Sequence, residues 1–314
     1  MGVTMLALAR YTLKGPYQAT AIVGLLAIVA VFVIPVLGYS LASVVLAFVT
    51  NLLAVMLVGL IILTQGSAAG LKVIAIAALA LSLAAWMGLK SVEPGISMAL
   101  MQWLPVIVLA QILRSSKSLG LTLLAGVLIG LVIIVIQSLV WSELESSWLT
   151  QLVQRREGAE IQQAEAEQLV QFVRLMLLFL ASTMYLMYIL VIFLARWLQA
   201  KLAESKGFGQ EFRALTLGKP AATAALVVVL AGLWLQYAWL VSFAFVVVIA
   251  FMFQGIAVVH SRLAEKKNTT GLFVLFYVLL VFTWQITGIL TAITGIIDNW
   301  LDFRKKPGNR NNVN

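Results

Sequence analysis

An all-α, polytopic transmembrane helical bundle of about nine spans, within a range of eight to ten, is what this sequence predicts, on three observations. Hydrophobic residues make up 62% of the chain and charged residues 11%, with a mean hydropathy of +1.05. A soluble domain carries roughly 25% charged residues and has no means of covering that much apolar surface. No charged residue occurs between Lys14 and Lys72, a stretch too long for one crossing of a hydrocarbon core that about 20 residues span. Only one long polar segment, residues 141–168, interrupts the apolar runs, and it holds six of the twelve acidic residues against Arg155 and Arg156. Backbone amides exposed to lipid must pair within their own segment, so the apolar runs read as helices.

The first two spans are expected at 19–37 and 41–64, divided where Pro35 and Gly38 break the run. The third covers 73–89 and closes in a turn with the Pro94-Gly95 pair. The fourth covers 96–113, with Pro105 inside it as a kink. Arg114 and Lys117 bracket a tight turn into the fifth, 119–140. In the polar segment Ser142 and Glu145 have capping-box spacing, and Leu144, Trp148, Leu149 and Leu152 share a helical face. That pattern predicts a helix on the membrane surface, broken at Gly158. The sixth span has its charge-free core at 175–194. A basic stretch from Arg196 to Lys219 connects to the apolar run 221–259, long enough for two spans with a turn near 235–239. The run 271–297 is read as a ninth straight crossing, with a helix broken near Gly288 as the alternative. The Asn-rich tail, 304–314, is expected to be disordered.

Composition also excludes classes of function. With no cysteine in the chain, disulfides, thiolate metal sites and cysteine nucleophiles are ruled out. The formal charge of +9 sits in short loops between apolar runs, the distribution of topology determinants and not of a nucleic-acid face. The run after Lys14 is too long for a signal-peptide core and reads as a signal anchor, preceded by a mildly amphipathic stretch whose Arg10 and Lys14 are placed to snorkel. There is no Walker loop, H-E-x-x-H or G-x-S-x-G motif, and one histidine makes no metal cluster. The expectation is a non-enzyme with no cofactor, no metal and no nucleic-acid partner.

Cation placement gives the orientation. With the N-terminus in the cytoplasm, the inner loops hold thirteen cations, among them Arg114, Lys117, Arg196, Arg213 and Arg262, and the outer side holds only Lys90, Arg155, Arg156 and Arg174. The acidic segment is then outside. Nine straight crossings leave one conflict, because they also place Arg304, Lys305 and Lys306 outside.

The C-terminal third has a distinctive pattern. Gln254-Gly255-Ile256-Ala257-Val258-Val259-His260 ends a span, a short basic loop and an apolar run follow, and the run closes with Gly295-Ile296-Ile297-Asp298-Asn299-Trp300-Leu301-Asp302-Phe303-Arg304-Lys305-Lys306. This resembles the YybS-like family of bacterial multi-pass membrane proteins, a domain of unknown function, across essentially the whole chain in span order. That family is distantly similar to the S components of energy-coupling-factor transporters, six-helix proteins that capture vitamins or metal ions. The resemblance implies an S-component-like core over 1–197, further membrane helices over 198–303, a bacterial cytoplasmic membrane location, and other membrane subunits as partners. S components often carry an Ala-xxx-Ala pair on the first helix. The first span here has Ala21, Gly24, Ala27 and Ala30 at every third position instead.

Several residues are candidates for function, each with a plainer reading beside it. Gly126 and Gly130, and Ala80 and Ala84, have spacing suited to close helix packing, within the chain or between copies. Polar residues at membrane depth, among them Asn51, Gln102, Gln111, Gln137, Gln254, Tyr185 and Tyr188, commonly make interhelical hydrogen bonds worth about 0.6 kcal/mol each. The predicted topology also puts Gln102, Gln137 and Arg174 in the outer parts of spans four to six, near Glu93 and Trp103, where they are candidates to line a ligand pocket open to the outside. Arg174 inside an apolar run needs a partner, an aqueous cavity or a route to the head groups. His260 reads as an interfacial anchor or as a ligand. Asp298 and Asp302 share a helical face ahead of Arg304, for local pairing or for docking a partner. Two functions remain open: a small-molecule binder or transporter, and a non-transporting scaffold or assembly factor.

Overall fold

The computed structural model describes residues 2–139, 143, 146–147, 150, 163–205, 207–264 and 269–304. Most of the predicted surface helix in 141–168, and the tail beyond Arg304, lie outside the described residues. The chain is all-helical among those residues. It forms two compact units, one of Met1–Ala125 with Met187–Phe212 and the other of Gly126–Leu186 with Arg213–Asn314.

The first unit contains α1 (Gly2–Thr12), α2 (Pro16–Leu37), α3 (Leu41–Gln65), α4 (Ser67–Leu89), α5 (Glu93–Met98), α6 (Leu104–Ser116), the start of α7 (Leu119–Leu139), the end of α8 (Gln163–Leu202) and nearly all of α9 (Gly207–Arg213). Pro16 begins α2 at a position where its missing N–H costs nothing. A reciprocal cap starts α3: Ser43 N donates to Ser40 Oγ at 3.1 Å, and Ser40 N donates to Ser43 Oγ at 2.9 Å. All residues from 54 to 63 of α3 are buried, which makes it the central helix of the unit. At Gly59 the lack of a side chain brings α3 against Ala195 and Ile192 of α8 and Val106 of α6. The last carbonyls of α3 take side-chain donors, Arg114 Nη1 to Ile62 O at 2.9 Å and Gln199 Nε2 to Leu63 O at 3.0 Å.

The expected kink at Pro105 takes the form of a π-helical turn, Ala99–Trp103, between α5 and α6. Proline has no N–H to donate to the carbonyl four residues earlier, which here belongs to Met101. The hydroxyl of Tyr188 on α8 donates to that carbonyl instead.

The second unit contains the rest of α7 and α8 together with α10 (Lys219–Leu235), α11 (Ala238–Ala264), α12 (Thr270–Phe282) and α13 (Trp284–Leu301). Gln236 in the left-handed region (φ 53) turns α10 into α11, within the predicted 235–239 turn. Gly130 of α7 packs on Val246 of α11, a close approach within the chain. In the first unit Ala80 is exposed, while Ala77, Leu81 and Ala85 belong to the buried face of α4. The tightest crossing of the second unit joins α11 to α13. A Cβ on Gly255 would run into the Thr291 carbonyl, and one on Gly295 into the Phe251 carbonyl.

Among the described residues, seven helices are long and apolar enough to cross a membrane: α2, α3, α4, the α5–α6 pair over Glu93–Ser116, α7, the Gln168–Leu202 part of α8, and α11. The α12–α13 pair makes eight if counted as one. Two elements account for the difference from the expected nine. The 17 residues of α10 reach only about 26 Å at 1.5 Å per residue, short of a core of roughly 30 Å. The predicted ninth straight crossing is instead two helices bent by 117° at Thr283. Gly288, the residue proposed for a break, is buried beside Met252 and serves packing.

Candidate functional site

The predicted pocket residues divide between the units. In the first, Glu93 is exposed at the start of α5 and Gln102 is half-buried in the π-turn. Trp103 is fully buried there, its indole N–H lacking a hydrogen-bond partner among the described residues. In the second, Arg174 is exposed on α8 and Gln137 is buried on α7.

Gln137 lines a cavity of about 200 Å³ with Ile134 and Ser138 of α7 and Ala238, Trp239 and Ser242 of α11. Arg174 is not among the lining residues. The walls are set by two side chains that reach the backbone of α8: Gln137 Nε2 donates to the Leu177 carbonyl, and Ser242 Oγ donates to the Leu178 carbonyl at 2.9 Å. Phe179 and Phe245 pack beside them with ring centroids 4.6 Å apart and planes tilted by 57°. The amide nitrogen is committed to Leu177, and the Gln137 oxygen is buried with no donor among the described residues. An unpaired buried carbonyl of this kind costs about 1–3 kcal/mol, which a ligand donor would recover. Ser242 and Trp239 are not singled out by the sequence, where 235–239 registers only as a turn. A lone serine soon after an interfacial tryptophan is the signal available.

Asp298 and Arg304 meet in the second unit. Arg304 Nη2 lies 2.6 Å from Asp298 Oδ2, and the Asp298 side chain is only 4% exposed. Gln254 Nε2 donates to the same oxygen at 3.1 Å, and Phe303 N donates to Asp298 Oδ1 at 3.1 Å. Gln254 Oε1 accepts from Leu217 N at 2.9 Å, and Arg304 donates to the carbonyls of Arg213 and Leu215 at 2.9 and 2.6 Å. Both carboxylate oxygens of Asp298 are therefore engaged from within the chain, so the pair clasps the 213–217 loop to α11 and α13. Asp302 adopts a left-handed conformation (φ 46) that turns the chain back, its N–H donating to Asp298 O. His260 Nε2 sits 2.6 Å from the Tyr277 hydroxyl and its ring packs on Phe273, so it ties α12 to α11.

No protein-family model, no curated protein and no solved structure matches this chain.

Proposed function

We propose that this multi-pass membrane protein binds a small molecule in the recess between the end of α7 and the start of α11, with the Gln137 oxygen accepting a hydrogen bond from it. The unpaired buried oxygen in the wall of a mostly apolar cavity carries this reading. At about 200 Å³ the recess is smaller than the roughly 300–1,000 Å³ of drug-sized sites, so the ligand is compact. Cation placement supports a cytoplasmic N-terminus, which puts the end of α7, and with it this recess, on the outer side. The resemblance of the sequence pattern to a family distantly similar to S components favours capture of the molecule for transport. A second reading, a non-transporting scaffold, draws on α12: none of its described residues is buried, and Phe282 is 80% exposed.

Native mass spectrometry of the protein purified in mild detergent tests both. Wild type is expected to retain a stoichiometric small molecule that Gln137→Leu loses and Gln285→Leu, at an exposed amide by the bend, keeps. A wild-type protein with nothing bound, or a Gln137→Leu protein that keeps its ligand, overturns the pocket reading. A stoichiometric protein that depends on the surface of α12 would put the scaffold reading in its place.

A further inference from the structure

We propose that the recess where α3, α6, α8 and α9 meet, in the first unit, binds a phosphate group, presented by an anionic phospholipid or free in solution. It is independent of the Gln137 cavity. The recess has a volume of about 270 Å³ and is lined by Arg114, Lys117, Arg196, Gln199 and Glu211 over two leucines. Three cations face one carboxylate, and that carboxylate is already committed. Glu211 takes hydrogen bonds on both oxygens from Arg196, one from Nε at 3.0 Å and the other from Nη2, while Arg196 Nη1 donates to Gln199 Oε1 at 2.9 Å. Arg196 is thereby neutralised and fixed as a wall.

The remaining two cations carry the excess charge. Arg114 donates to the neutral Ile62 carbonyl, and Gly66 makes room for it: a Cβ there would lie 2.7 Å from Arg114 Nη1. Lys117 is exposed, and its ammonium makes no ion pair among the described residues. It is held in the left-handed region (φ 54), a conformation uncommon for lysine, with its backbone N–H on the Leu113 carbonyl at 2.9 Å. A guanidinium fork and an ammonium converging on one recess suit the several acceptor oxygens of a phosphate. On the proposed orientation the recess opens at the cytoplasmic head groups, where anionic lipid is concentrated.

The test is thermal unfolding of the full-length protein in detergent, with phosphatidylglycerol, phosphatidylcholine or inorganic phosphate added. Phosphatidylglycerol is expected to raise the midpoint where phosphatidylcholine does not, and Lys117→Asn, which suits the left-handed backbone, is expected to weaken the apparent affinity about tenfold. Arg114→Gln, which removes the second excess charge and leaves Lys117 in place, should weaken it as well. Lys90→Asn is the matched control, another exposed left-handed lysine (φ 58), at the far end of α4, and should respond as wild type. A midpoint raised by inorganic phosphate too identifies a soluble phosphate as the ligand source, and a response to the lipid alone identifies the head group. No response to either probe, a Lys117→Asn response equal to wild type, or an equal loss in Lys90→Asn overturns the proposal.

Discussion

Tyr188 shows how a single side chain repairs what a proline takes away. Pro105 leaves the Met101 carbonyl without its helical donor, and the Tyr188 hydroxyl takes that role from a helix 87 positions away in sequence. Removing the hydroxyl leaves a carbonyl inside an apolar span unpaired, so Tyr188→Phe is expected to destabilise the protein by about 1–3 kcal/mol. In a Pro105→Ala background the backbone N–H is restored and the same substitution should cost much less. Unfolding in sodium dodecyl sulfate, followed by helix circular dichroism, supplies the four midpoints of that cycle. Equal costs in both backgrounds would mean that Tyr188 acts through packing alone. The sequence marks Tyr188 and Gln137 as polar groups at membrane depth, because any polar residue stands out in an apolar run. Their partners are backbone carbonyls of Met101 and Leu177, and a carbonyl has no signature in sequence. The unpaired oxygen of Gln137 is illegible for the same reason.

At the scale of elements, hydropathy locates the membrane helices and leaves their shapes undetermined. The run 271–297 is apolar on both sides of Thr283, so nothing in its composition distinguishes a straight helix from one bent by 117°. What decides the shape is the seam between α11 and α13, where Gly255 and Gly295 bring backbone against backbone. The sixth span is read from its charge-free core, yet α8 runs over 40 residues, about 60 Å at 1.5 Å per residue. Polar residues are tolerated where a helix leaves the hydrocarbon, so charge marks the edge of the bilayer and not the end of the helix. The seam makes a prediction by itself. Gly255→Ala drives a methyl into the Thr291 carbonyl and forces the two helices apart, at a cost of about 1–3 kcal/mol or more. Gly271→Ala in α12 meets no atom within 4 Å and should be neutral or stabilising by about 0.5–1 kcal/mol. Denaturant titration of the two variants side by side separates them, and a Gly255→Ala midpoint equal to wild type would show that α11 and α13 do not meet this closely.

For the whole molecule, the arrangement of cations and the C-terminal bend bear on each other. A straight ninth crossing puts Arg304 on the side opposite to the basic loop that precedes α10. The structure instead joins Arg304 to the carbonyls of Arg213 and Leu215 in that loop, so the two belong to one end of the second unit. The conflict with the cation rule disappears once the last run bends, because Arg304 then joins the cations predicted to be cytoplasmic. In the first unit the contacts likewise gather predicted inner positions at one end: Gln65 reaches the Leu13 carbonyl, and Arg114 and Gln199 cap α3. The absence of cysteine makes the side of each loop directly measurable by single substitutions. Cysteines at Ala214, Ser116 and Asn309 are expected to react with a membrane-impermeant maleimide only after the membrane is opened, while those at Val92 and Tyr237 react in intact cells. Labelling of the Asn309 position with the outer set would restore the ninth crossing and require the Arg304 contacts to be absent in the membrane. Reversal of all five would invert the orientation, placing the Gln137 recess in the cytoplasm and the cationic recess outside.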